Sequence, residues 1–230
     1  MKAERKNIIS LLINIAIVVI TFFAISQFFV ARGDANMQIS GITSLRYFTN
    51  LSNILVAAAS VVCIVFNIMN IRYGSNTFPK SVYILKFAGT ISVTLTFLTC
   101  VFFLGPINIP ILAPYGVPAW RAYIFIFFGN AFYLHLVTPI LAIISCIFFE
   151  KTSSFEKKDS YLGIIPFILY AIVYIIMVAV VGVERGGWPD FYHFTFGGRM
   201  YLVPVSALVM FFATYLITKI EWKMYKKVNK

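Results

Sequence analysis

Six apolar runs, each long enough to cross the roughly 30 Å hydrocarbon core of a bilayer, leave this 230-residue chain few architectures. They cover 8–30, 47–69, 84–104, 123–149, 161–183 and 200–217. Backbone in lipid must satisfy its own hydrogen bonds, so each run is expected to be a helix. The composition agrees, with 60% of residues hydrophobic and 12% charged, against roughly 25% charged in a soluble domain. Mean hydropathy is +0.88. The expected fold is all-α: one domain over 1–230, a polytopic integral membrane bundle of six transmembrane helices.

The formal charge of +11 would suit a nucleic-acid partner, but the distribution of the basic residues argues otherwise. Of 19 Lys and Arg, 14 fall on the side of the N-terminus and five, Arg32, Arg46, Arg121, Arg185 and Arg199, on the other. This split predicts cytoplasmic termini in a multi-pass protein of the cell membrane, with no nucleic-acid partner. The Lys-rich tail reads as a topology signal that also meets anionic lipid. The first run exceeds a secretory h-region and is expected to stay as a permanent helix. Arg32-Gly33-Asp34 reads as a turn. Cys63, Cys100 and Cys146, without CxxC or metal spacing, read as small hydrophobes.

One polar stretch stands out at the mouth of the second run. Arg46, Thr49, Asn50 and Asn53 fall at i, i+3, i+4 and i+7, one helical face, with Ser52 flanking it. A hydroxyl or amide without a partner in hydrocarbon costs several kcal/mol, so the face must look at other helices or a wet cavity. His135 is the only histidine inside an apolar run and the natural group for it to face. Asn130 precedes it and Pro139 follows, where a kink is expected. The hydroxyls of 90–99 read as back-bonded to their own helix.

Two segments between runs are unusual. From Gly105 to Trp120, prolines recur every fourth residue, which forbids a continuous helix, and Tyr115 and Trp120 suit an interfacial position. The segment Glu184–Phe194 has the aromatic content of an interfacial belt and holds His193, Glu184 and Asp190.

None of the eight Asp and Glu lies in the middle of an apolar run. Ion-coupled transport commonly uses an intramembrane carboxylate, and metal hydrolysis needs clustered ligands, so neither is favoured, and no metal or cofactor is expected. What remains is a hydroxyl nucleophile with a histidine base: Thr49 or Ser52 with His135, and Asn53 or Asn130 donating to a developing oxyanion.

Arg46-Tyr47-Phe48-Thr49, Asn130 with His135 and Pro139, and the Trp188-Pro189 loop together resemble the androgen-induced family of six-span membrane threonine hydrolases, which cleave fatty acid esters of hydroxy fatty acids. The resemblance implies Thr49 as nucleophile, His135 as base, a fatty acyl ester as substrate and the bilayer as partner. Asn50-Leu51-Ser52-Asn53 is more polar than the animal members, which leaves Ser52 as a rival nucleophile. Thr49 lies 21 residues from Asn70 and His135 15 from Glu150, about 32 and about 22 Å at helical rise, so tilt or a kink must bring them level. The alternatives are a non-catalytic protein that binds or moves a lipid or small hydrophobic ligand, and a bundle in which the polar stripe is interhelical glue. The oligomeric state is not legible in the sequence.

Overall fold

The computed structural model describes residues 2–30, 41–75 and 77–229. Helices make up 83% of it, with no strand among the described residues. Arg32, Gly33 and Asp34 lie outside the described residues.

Among the described residues, six helical stretches are long and apolar enough to cross a membrane. In chain order they are α1 (Lys2–Val30), α2 (Phe48–Tyr73), α3 (Lys80–Tyr115), then, after a short α4 (Ala119–Ile124), α5 (Asn130–Phe149), α6 (Lys157–Val181) and α7 (Leu202–Val228). Two departures from the apolar runs have clear causes. α3 continues through the proline segment because a widened π turn at Cys100–Leu104 precedes Pro106, and the helix ends only at Gly116, φ 73°, followed by Pro118. The fourth span starts at Asn130 rather than near 123, since Phe128 is extended and Gly129 takes φ 60°.

Hydrogen bonds set the helix directions. Asn67 on α2 donates to Ser10 on α1, and Ser10 and Asn14 donate to Glu150 at the end of α5. α1 is therefore antiparallel to both α2 and α5. Asn229, just beyond α7, donates to the Ile147 carbonyl, which puts both termini at the same end of the bundle. That terminal end is closed by the Lys80–Asp159 ion pair, the Phe78 N–H on the Lys151 carbonyl, and Tyr225 Oη bonded to the Thr152 backbone.

α3 is the central helix, with a continuous buried stretch from Phe87 to Thr96. Gly89 permits this: a Cβ there would meet Val56 Cα at 2.8 Å, so the α2 and α3 backbones touch where a larger residue would part them. The main apolar core joins Phe48, Tyr83, Phe87, Phe155, Phe167, Tyr174, Tyr192 and Phe194. The loop read as an interfacial belt is thus a correction. Tyr192 and Phe194 are buried, and Phe191 packs on Tyr47 with ring centroids 4.2 Å apart. Asp190 draws the rings inward by accepting the Tyr174 hydroxyl and the N–H groups of Phe194 and Thr195.

The carboxylates keep out of the middle of the spans, yet two of them are buried. Glu150 and Glu221 are both buried, and Glu221 lies within α7, which runs eleven residues past the expected end at 217. Its Oε1 accepts the Thr94 hydroxyl of α3 at 2.7 Å. Lys86, placed by the sequence among the basic residues of the terminal side, is fully buried six residues into α3. Charge counting along the chain cannot distinguish a solvated lysine from one held between helices.

Candidate functional site

The site at the end opposite the termini starts from how α2 begins. Tyr47 is extended, with φ −88° and ψ 130°, so the helix opens at Phe48 without a capping side chain of its own. One of its free N–H groups is met from elsewhere, and two further bonds fasten the turn before it. The Phe48 N–H donates to Tyr192 Oη at 2.8 Å. Asn50 Nδ2 donates to the Ser44 carbonyl at 2.7 Å, fastening the preceding 3-10 turn Gly41–Arg46, and Tyr170 Oη donates to the Arg46 carbonyl at 2.7 Å. Thr49 is the second residue of this anchored turn. It is half-buried, and its hydroxyl makes no hydrogen bond among the described residues.

α5 supplies the histidine. Pro139 has no N–H for the carbonyl four residues back, that of His135, and the chain there widens into a π turn over Tyr133–Val137. His135 is buried, with Nδ1 2.7 Å from the Ile126 carbonyl and Phe127 edge-on to the ring. A carbonyl only accepts, so this contact puts the proton of the neutral ring on Nδ1 and leaves Nε2 as an acceptor. Nε2 has no partner among the described residues.

Asn53 joins the two helices. Its Nδ2 donates to the Thr49 carbonyl at 2.7 Å and to the Leu134 carbonyl at 3.1 Å, while Oδ1 is buried without a partner. The first turns of α2 are therefore tied to the π turn that carries His135, through the residue next to it. The rest of the stripe divides. Asn50 serves the 3-10 turn, and Arg46 contributes its carbonyl. Ser52 bonds the Thr49 carbonyl at 3.0 Å and shares a 3.1 Å contact with Thr96 on α3. Asn130 opens α5 half-buried, and its amide makes no hydrogen bond among the described residues.

Beside this turn, Phe48, Leu51, Ser52, Leu55, Pro166, Leu169, Tyr170, Val173 and Trp188 line a mainly apolar groove of about 290 Å³ between α2 and α6. Its single hydroxyl pair, Ser52 and Tyr170, sits among aliphatic and aromatic walls, a lining suited to a hydrocarbon chain.

Sequence reasoning did not find Tyr192, Tyr170 or the Ile126 carbonyl, which position the site from distant parts of the chain. A phenol 144 residues away carries no local signal. The Lys86–Glu150 centre near the terminal end was also missed, although Asn and Ser at seven-residue intervals on α1 and α2 mark it. Compared with protein-family models, with curated proteins and with solved structures, the chain matches none.

Proposed function

We propose that the protein is a membrane-embedded lipid ester hydrolase of the androgen-induced kind, with Thr49 as nucleophile and His135 as base. The observation that carries this reading is the Nδ1 contact of His135 with the Ile126 carbonyl, which leaves Nε2 as an unoccupied acceptor on a turn tied by Asn53 to the turn of Thr49. Thr49 Oγ1 gives its proton to His135 Nε2 and bonds to the ester carbonyl carbon. The ester C–O bond then breaks, the alcohol leaves with that proton, and an acyl-threonine remains. Water, losing a proton to the same nitrogen, releases the acid and restores the hydroxyl. The position of Thr49 in the first turn of α2 favours negative charge on the reacting oxygens, because the positive end of the helix dipole lies there. The groove between α2 and α6 takes part of the acyl chain.

Ser52 is the weaker nucleophile, since its hydroxyl is already engaged with the Thr49 carbonyl and Thr96. The test is labelling of purified protein by a fluorophosphonate probe. Labelling is expected to vanish in Thr49→Ala and in His135→Ala and to persist in Ser52→Ala. Labelling that survives Thr49→Ala removes the assignment. The groove also supports a second reading, a protein that binds or moves a lipid without turnover, for which ligand binding would survive His135→Ala.

A further inference from the structure

α1, α2, α3 and α5 share an interface whose buried polar side chains recur in register. Asn7, Asn14 and Thr21 on α1, Asn53, Ser60 and Asn67 on α2, and Thr138 and Ser145 on α5 are each seven residues apart, and all are buried. Seven residues make about two helical turns, so each set lies on one face. Lys86 Nζ on α3 donates to Asn14 Oδ1 at 2.6 Å and to Ser60 Oγ at 2.7 Å, and lies 3.9 Å from Glu150 Oε1. Glu150 Oε1 also accepts Asn14 Nδ2 and the hydroxyls of Ser10 and Ser145. These bonds define an inner polar compartment near the terminal end. By the same antiparallel register, seven residues further on, Thr21, Asn53 and Thr138 come to one level, beside His135.

Between the two polar levels lies one apolar layer. Ile17, Val56, Val93 and Ala142, one from each helix, are fully buried and packed together. On either side of it, polar atoms lack partners among the described residues: Glu150 Oε2 and Asn67 Oδ1 in the inner compartment, Asn53 Oδ1, Thr21 Oγ1 and Thr138 Oγ1 in the outer one. Buried polar atoms without partners are costly in hydrocarbon surroundings, and water in a polar recess removes that cost.

We propose that the two polar compartments hold water and form a proton path through the bundle, held closed at the Ile17–Val56–Val93–Ala142 layer. A dry apolar constriction of this kind stops water and, with it, protons. The Lys86–Glu150 pair selects the cargo. Its charges already cancel, so a bound metal cation would face the Lys86 ammonium at short range in low dielectric. Proton exchange adds no lasting charge. The Glu150 carboxylate takes a proton from water on the terminal side, Lys86 gives one to water on the side of the layer, and a proton passing from Glu150 to Lys86 restores the pair. The other titratable groups facing the pair, among the described residues, are Cys63, Cys146 and Tyr83, with Glu221 beyond Cys146. This path does not require the reaction proposed for Thr49 and His135, although its outer compartment adjoins His135 and shares Asn53 with that site.

The experiment reconstitutes the full chain in phosphatidylcholine vesicles holding a trapped pH-sensitive dye and follows proton flux under a potassium diffusion potential. Wild type is expected to be as tight as empty vesicles. Val56→Asn, and the smaller change Ala142→Ser, are expected to raise the flux by about tenfold or more, equivalent to lowering a barrier by about 1.4 kcal/mol. Adding Lys86→Met with Glu150→Gln, which leaves no uncompensated charge, is expected to return it to the baseline. Correctly folded layer variants, by circular dichroism and elution volume, that stay as tight as wild type would overturn the proposal. So would a wild type as leaky as Val56→Asn, or a flux that survives the paired replacement. A separate readout needs no flux. In a background with Cys63, Cys100 and Cys146 changed to Ala, a cysteine introduced as Ser60→Cys or Ser145→Cys should react with a water-soluble methanethiosulfonate, and Val56→Cys should not. Equal reactivity on both sides of this comparison contradicts a dry layer.

Discussion

The Tyr192 phenol oxygen accepts the Phe48 backbone N–H at 2.8 Å, so a loop residue before α7 completes the start of α2. The bond takes the place of the missing capping side chain, and it holds the turn on which Thr49 stands. Tyr192→Phe deletes only this oxygen. The expected loss is about 1 kcal/mol, in line with a lost helix cap or one net hydrogen bond. Thermal unfolding in detergent checks it, and an unchanged melting temperature would show that the cap contributes nothing.

The buried ion pair predicts an asymmetry between single and double variants. Lys86→Met leaves the Glu150 carboxylate buried without its cation, and a loss of about 3–5 kcal/mol is expected. Changing Lys86→Met and Glu150→Gln together should recover most of that loss. A double-variant cycle on denaturation midpoints measures the coupling, and additive single effects would contradict a direct interaction.

Acid should release the aromatic loop through Asp190. Burial pushes this carboxyl up, but the hydrogen bonds from Thr195, Tyr174 and Phe194 together hold it below the ordinary value of 3.8. A depressed folded value means that the ionised form stabilises the fold at neutral pH, and that this stability is lost as pH falls below about 4. Wild type and Asp190→Asn should therefore differ most at neutral pH, by about 1–3 kcal/mol for bonds to a charged acceptor, and converge in acid. A constant difference across that range, in melts followed by tryptophan fluorescence near Trp188, would argue against Asp190.

The close approach of α2 and α3 depends on Gly89 having no side chain. Gly89→Ala places a methyl group 2.8 Å from Val56 Cα, and both backbones must give way. A destabilisation of about 1–3 kcal/mol is expected, despite the better helix propensity of alanine. Gly74→Ala offers no such test of packing, since a Cβ there meets nothing within 4 Å and only the φ of 69° resists it.

One contact of the candidate site was legible. Asn53 stands out because a polar side chain in an apolar run needs a partner, and it does reach α5, whereas the Thr49 hydroxyl, singled out by the same argument, makes no hydrogen bond among the described residues. Asn50 and Ser52 share its stretch of sequence yet turn to the Ser44 carbonyl and to Thr96. Helical periodicity places residues on a face but does not say which neighbour that face meets. Lys86 shows the limit from the other direction, since near the end of a span a basic residue reads as a topology signal, and only packing shows it bonded to Asn14 and Ser60.

The sequence by itself determined that this chain is a bundle of six membrane-length helices, because hydrocarbon tolerates no unpaired backbone and runs of this length admit no other all-helical arrangement in lipid. The tertiary structure decided which side chains meet: Tyr192 with α2, Ile126 with His135, Lys86 with α1 and α2. Those contacts join residues far apart in the chain, and their partners depend on helix register and on the closeness that Gly89 allows, neither of which the order of residues along one helix contains.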